Sequence, residues 1–288
     1  MNWKPGTSKI AVVFITLNEQ ENIKNALENL KGWANEVFIV DSFSSDKTID
    51  IAKEYGVYVL QNKFKGFGDQ WNFALKNLPI TSPWTMKLDP DENLTEKLKE
   101  NLTSSIEMNE ADAFIMQRRL WFMGVPLSVR QKLIRVWRTG TVSFSNVIVN
   151  EHPIAKGKIA DVEGDIEHFD STNLEDWFNK QNKYTSMEAI SKSLNLPLST
   201  NPKLFGNTLE RRMWFKFHYH RVPFRHIFLF FYFWLYLGGF RSGRVGYIWS
   251  RLRVDVMRFI EYKKHEIDNS DKIKKSYLKT NNKAPNKN

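Results

Sequence analysis

Cysteine is absent from this chain of 288 residues, which excludes disulfides, thiolate metal sites and a thiol nucleophile. Long apolar runs are lacking as well. The densest, residues 227–240, is bracketed by Arg225, His226 and Arg241, whereas crossing a bilayer takes about 20 apolar residues. No G-x-x-x-x-G-K-[ST] occurs, and no G-x-G-x-x-G follows the first apolar run; the two familiar glycine-rich phosphate cradles are therefore missing. Glycine (14) and proline (10) are too sparse for a collagen-like chain, and 42% hydrophobic residues are too many for a wholly disordered one. No internal repeat is visible. Residues 1–6 are polar and the apolar stretch 9–17 is short, so nothing reads as a secretory signal and a cytoplasmic setting is expected.

Charge is plentiful but uneven. The net value is +10, yet residues 1–210 carry 24 Lys/Arg against 27 Asp/Glu. Residues 211–264 carry 12 Lys/Arg against Asp255 and Glu261 only, and they also hold the aromatic run. A cationic, aromatic quarter on a mildly acidic body calls for an anionic surface as partner.

Along the first part of the chain, strand and helix patterns alternate. Residues 9–17 (KIAVVFITL) are continuously apolar and β-branched, as in a strand buried on both faces. Asn18 and Glu21 have capping-box spacing, and Ile23, Leu27 and Leu30 recur at helical intervals. Strands are expected at 36–41, 57–61 and 84–89, with helices at 46–55 and 69–78. This rhythm implies βαβ units and a mainly parallel sheet with flanking helices. Beyond residue 112, strands are expected at 112–120, 131–137, 142–149 and 159–169, then a helix at 174–194 and a polar linker at 197–207. Residues 244–264 place Val245, Ile248, Trp249, Leu252, Val256, Phe259 and Ile260 at helical spacing, with Arg244, Arg251 and Arg258 repeating every seven. Such a helix either lies in a membrane interface or packs on the body with its arginines in water. The tail from 269 is Lys/Asn-rich and is expected to be disordered.

Ligands of open α/β sheets bind beyond the carboxyl ends of the strands. Three turns there carry carboxylates: Thr16-Leu-Asn-Glu19, Asp41-Ser-Phe-Ser-Ser-Asp46 and Asp89-Pro-Asp91-Glu92. Converging carboxylates repel unless a cation sits among them, and hard oxygen donors without cysteine suit Mg²⁺ or Mn²⁺. Gly66-Phe-Gly68 is either a flexible turn or a loop that lets backbone approach a diphosphate.

These three motifs together resemble the nucleotide-sugar half of family 2 glycosyltransferases with the GT-A fold. Asn150-Glu-His152, Asp165-Ile-Glu-His168 and the basic aromatic C-terminus are similar to the subgroup containing lipopolysaccharide-core β-1,4-glucosyltransferases. Pro90 departs from the small residue usual between the two aspartates but leaves both carboxylates in place. The resemblance implies a GT-A domain over 1–210, a helical, membrane-facing extension over 211–268 and a tail over 269–288. It implies an inverting, metal-dependent transfer from a UDP-sugar to a lipid-linked, lipopolysaccharide or other cell-surface glycan acceptor. Asp41 and Glu19 would contact uracil and ribose, with Thr16, Asn18, Ser42 and Gln70 in the same pocket. Asp89 would face the ribose or the metal, Asp91 would hold the metal, and Lys65, Arg130 and Arg135 would assist the phosphates.

For the base that takes the acceptor proton, Glu151 is the leading candidate and Asp165 and Asp170 are alternatives. His168 is either a metal ligand or a hydrogen-bonded structural histidine. The expected surface partner is an anionic membrane, met through residues 228–264, which places the protein peripherally on the inner face of the cell membrane. Nucleic acid is not expected, because the aromatic run is too continuously apolar for a solvated groove. Two alternatives stand beside this reading: a nucleotidyltransferase of similar architecture, disfavoured by the acidic, glycine-free first turn, and a non-enzymatic membrane or nucleic-acid module.

Overall fold

The computed structural model describes residues 2–145, 152–170, 173–196, 202–206 and 208–282. Its centre is an eight-stranded sheet in the order β3-β2-β1-β4-β7-β6-β10-β5. Strands β1 (Ile10–Thr16), β2 (Glu36–Asp41), β3 (Tyr58–Gln61) and β4 (Trp84–Lys87) are mutually parallel. Then β7 (Val125–Arg138) runs antiparallel to both β4 and β6 (Ala113–Phe122), β10 (Ile159–Phe169) is parallel to β6, and the three-residue β5 (Glu92–Leu94) closes the edge antiparallel to β10. The mainly parallel sheet with flanking helices is thus the architecture the alternating pattern implied.

The apolar run of β1 is central in this order and is covered on both faces. Ile10, Val12 and Phe14 point to one side, where they meet Ile23, Ala26, Leu27 and Leu30 of α1 (Gln20–Leu30). Ala11 and Val13 point to the other, toward Trp71 and Ala74 of α3 (Phe67–Asn77). Burial of each large apolar side chain contributes about 1.5–3 kcal/mol, so an outward register for β1 would forfeit both layers. Helix α2 (Thr48–Glu54) joins the α1 side.

Several elements differ from the sequence expectation. Helix α4 (Glu96–Met108) fills the stretch after β5; it is capped by Thr95, whose hydroxyl accepts the Leu98 N–H, and buries Leu98, Leu102 and Ile106. Strands β6 and β7 are longer than expected, because they form one hairpin through Met123 and Gly124, both at positive φ, the backbone a two-residue hairpin turn needs. The strand expected at 142–149 is a two-residue β8 (Ser143–Phe144) paired with β9 (Pro153–Ile154), and 146–149 lie outside the described residues. Asn18 does not cap α1: it sits at φ 55° and its side chain bonds elsewhere, so the cap position falls to Glu19.

At the C-terminal end, α5 (Leu174–Ser193), α6 (Thr208–His218), α7 (Arg225–Phe231), α8 (Gly243–Asp268) and α9 (Asp271–Asn282) follow. Trp249, Val256 and Ile260 of α8 pack with Trp177 of α5 on Leu120, Phe122, Leu127 and Val129 of the β6–β7 hairpin. Of the two readings of this amphipathic helix, its apolar face therefore takes the packed one. A Cβ at Gly246 would stand 1.9 Å from the Gly239 carbonyl, so glycine is what lets the preceding segment cross the start of α8. Of the tail expected to be disordered, Asp271–Asn282 is helical, and 283–288 lie outside the described residues.

Candidate active site

Because β1, β2 and β4 are parallel, their carboxyl ends share one edge of the sheet, and the turns that follow them meet there. The first two interlock. Ser42 N–H donates to the Thr16 carbonyl (2.8 Å), Asn18 N–H to Ser44 Oγ (2.8 Å), Ser45 N–H to Asn18 Oδ1 (2.8 Å) and Glu19 N–H to Thr48 Oγ1 (2.7 Å). Fully buried Asp41 accepts from Thr16 Oγ1 (2.8 Å), from Ser44 N–H (2.8 Å) and hydroxyl, and more distantly from Gln61 (3.4 Å). Gln70, also fully buried, donates to Ser42 Oγ (3.1 Å) and accepts from Asn62 (2.8 Å). The structure thus brings Thr16, Asn18, Glu19, Asp41, Ser42 and Gln70 into one wall. Much of the Ser/Thr/Asp content of these turns satisfies backbone donors that no strand or helix serves.

The third turn is positioned by β5. Its Glu92 is the register partner of His168, and Phe169 N–H donates to the Asp91 carbonyl (2.9 Å). These pairings set His168 Nε2 3.2 Å from Asp91 Oδ2. Asp170 follows the end of β10, and Lys180 reaches over from α5, its Nζ 3.1 Å from Asp91 Oδ2 and 2.8 Å from Asp170 Oδ1. Asp91, His168 and Asp170 each offer a ligand atom, and these atoms lie within 4.8 Å of one another. The other ring nitrogen of His168 is buried without a hydrogen-bond partner. Two carboxylates and an imidazole nitrogen fit Mn²⁺ or Mg²⁺ when the ring hydrogen sits on the nitrogen that does not face the ion.

Asp89, two residues earlier, faces another way. Arg135, 3% exposed, donates through one Nη2 to Asp89 Oδ2 (3.1 Å) and to fully buried Glu92 Oε1 (2.6 Å). Arg118 adds a second guanidinium 3.2 Å from the same Glu92 oxygen. Burial favours the neutral acid at Asp89, but Arg135, then Lys87 and Arg118, outweigh both that and the Asp91 charge and hold the carboxyl well below its ordinary range. At Asp91 burial is likewise outweighed, by His168 and then Lys180. For Lys180, burial favours the neutral amine, and Asp91 and Asp170 overcome it, so its pKa is raised.

Sequence reasoning grouped Asp89, Asp91 and His168 around the metal; the structure groups Asp91 and His168 with Asp170, and Asp89 with Arg135. Arg130 donates to Asp165 (2.8 and 3.1 Å) from a partly exposed position. Lys65 is exposed just ahead of Gly66 and α3. Glu151 lies outside the described residues. Lys180 and Arg118 carry no role in the sequence reading, and Glu92 figures there only as a member of the third acidic turn. His168 and Asp170 have the i, i+2 spacing of one strand face, a signal that was there to be used; Lys180 on a helix surface carries none.

Known proteins resemble this chain in fold or in sequence. The mannosyltransferase PcManGT of Pyrobaculum calidifontis, solved with GDP-Man and Mn²⁺, has a similar fold: TM-score 0.54 at 12% identity, over 92% of this chain and 90% of that one. A glycosyltransferase of Rickettsia typhi is 28% identical over 200 residues, 63% of this chain and 67% of its own length. The lipopolysaccharide core biosynthesis glycosyltransferase LpsC of Rhizobium meliloti is 27% identical over 192 residues, 62% of this chain and 70% of its own. The family model described as glycosyl transferase family 2 matches residues 11–170, a span that runs from β1 through all three acidic turns to Asp170, and the chain accordingly belongs to that family and is a glycosyltransferase.

Proposed function

We propose that this glycosyltransferase moves a sugar from a UDP-sugar, with inversion, to a lipid-linked, lipopolysaccharide or other cell-surface glycan acceptor, using Mn²⁺ or Mg²⁺. The observation that carries the reading is the Asp91–His168–Asp170 group beside the interlocked Asp41 turn, at the edge where an α/β sheet binds its ligand. Asp91, His168 and Asp170 would hold the cation, which when bound neutralises charge on the departing diphosphate. Thr16, Asn18, Glu19, Asp41, Ser42 and Gln70 orient uracil and ribose; at Asp41 the long Gln61 contact is the one a ligand displaces most readily. Arg135 keeps Asp89 ionised at the same edge of the sheet. Lys65 is assigned to the phosphates, whereas Arg130 would first have to release Asp165. Glu151 takes the acceptor proton.

The test is UDP release from a panel of UDP- and GDP-sugars, with membrane extract as acceptor and Mn²⁺ supplied or chelated. Turnover of a UDP-sugar that needs the metal is expected, and Asp91→Asn should lower it by about 10²–10³-fold. Equal turnover by the variant removes the metal role, and turnover confined to GDP-sugars removes the donor assignment.

The acceptor, we propose further, is met at an anionic membrane surface on the cytoplasmic face, with the protein peripheral to it. Among the described residues no helix is long and apolar enough to cross a membrane. Large side chains stand in water on α7 and its flanks, among them Phe224 (74% exposed), Phe228 (62%) and Tyr236 (80%). Next to them, a groove of ≈ 300 Å³ between α7 and α8 is lined by Ile227, Phe230, Phe231 and Tyr247, with Arg251 and Arg258 at its side. Aromatic side chains with arginines beside them match an interface of acyl chains and anionic headgroups. This narrows the expected contact from 228–264 to α7 and its neighbours, since the apolar face of α8 is spent on the protein body.

A further inference from the structure

We infer that the Lys180 ammonium and the divalent cation compete for one site, so that Lys180 sets how tightly the metal is held. The inference rests on the proposal that Asp91, His168 and Asp170 are the metal ligands. Lys180 Nζ lies 3.1 Å from Asp91 Oδ2, 2.8 Å from Asp170 Oδ1 and 3.1 Å from the Asp170 carbonyl oxygen. An ammonium has three donors, and here three oxygens receive them. Asp91 Oδ2 is also the atom that faces His168 Nε2 at 3.2 Å. The oxygens that would bind a metal are therefore already gathered around a positive charge.

Metal and ammonium cannot share them. A divalent cation bonded to Asp91 and Asp170 stands about 2.0–2.2 Å from each oxygen, far inside the reach of an Nζ only 2.8–3.1 Å from the same atoms. Like charges at that separation repel strongly at a partly buried site. Lys180 can leave, because its side chain is 32% exposed and the four-carbon stem is flexible. Without a metal, Lys180 relieves the repulsion between two carboxylates that sit side by side. With a metal it swings out, and a nucleoside diphosphate bound nearby offers the released ammonium an anionic partner. Metal and nucleotide then favour each other's binding, and Lys180 is part of the link.

The test titrates Mn²⁺ into the nucleotide-free protein and into Lys180→Met, reading free Mn²⁺ by electron paramagnetic resonance. Lys180→Met should bind about tenfold more tightly or better, because the fraction of molecules ready for metal no longer depends on the lysine leaving. Adding UDP should strengthen Mn²⁺ binding more in the wild type than in the variant. Equal or weaker binding by Lys180→Met overturns the competition while the metal site stands. Binding by neither protein overturns both the competition and the metal assignment. The unaltered protein supplies a second readout should the variant fold poorly. Acylation of Lys180, followed by mass spectrometry, should run several-fold faster with Mn²⁺ than without; an unchanged or slower rate means that the lysine does not leave.

Discussion

Replacing Arg135 by methionine keeps an unbranched apolar stem and removes the guanidinium and its charge. Arg135 is 3% exposed and donates to Glu92 at 2.6 Å and to Asp89 at 3.1 Å. Breaking a buried ion pair costs about 3–5 kcal/mol when the remaining charge is left alone. Here Glu92 keeps Arg118 at 3.2 Å and the Asp89 N–H at 3.0 Å, and the methionine stem retains part of the burial, which puts the loss at the lower end, about 3 kcal/mol. Equilibrium urea unfolding reads this directly. In a melt it corresponds to roughly 6–12 °C for a chain of this size. The pH profile supplies an independent check. The Asp89 carboxyl is depressed in the folded protein, with Arg135 the largest lowering influence, so its contribution is present above the unfolded carboxylate pKa of about 3.9 and is lost as pH falls toward the folded value. In Arg135→Met that loss should shrink, leaving stability less steep below about pH 4. A cost under about 1 kcal/mol, or an unchanged acid limb, would refute the claim that Arg135 ties β7 to the acidic turn and keeps Asp89 ionised.

Glu151→Gln should lower turnover by roughly 10²–10⁴-fold while leaving UDP affinity at the wild-type value; retained turnover in the UDP-release assay sinks the base assignment. Phe224→Ser, Phe228→Ser and Tyr236→Ser combined should weaken co-sedimentation with vesicles rich in phosphatidylglycerol by at least about tenfold, since each side chain gives up apolar burial in the lipid. Partition that is unchanged, or equal on neutral vesicles, means that this aromatic face is not the membrane contact.

The N-terminal half of the sheet was legible because its signals are local. A β-branched run such as that of β1 can bury both faces only at the centre of a sheet, and the strand–helix rhythm implies parallel neighbours. Parallel strands end together, so three acidic turns read from a linear sequence already had to meet at one edge. Asn18 shows where such signals stop. Its spacing to Glu21 is that of a cap, yet its side-chain Oδ1 serves Ser45 N–H, 27 residues away, because interlocking two turns satisfies more buried donors than capping one helix.

Asp89 and Asp91 are chemically alike and two residues apart, and nothing near them in the chain separates their roles. Arg135, 46 positions on, claims one, while His168 and Lys180, 77 and 89 positions away, surround the other. The C-terminal helix α8 makes the same point about apolar surface. Its periodicity guaranteed one face that avoids water and was silent on whether lipid or protein covers it; contact with Trp177 and the β6–β7 hairpin settled that. Periodicity and turn composition act through neighbouring residues and therefore determined the sheet, its flanking helices and the edge where chemistry sits. The partner of each buried charge and of each apolar face comes from distant segments, and those assignments were made only when the chain closed on itself.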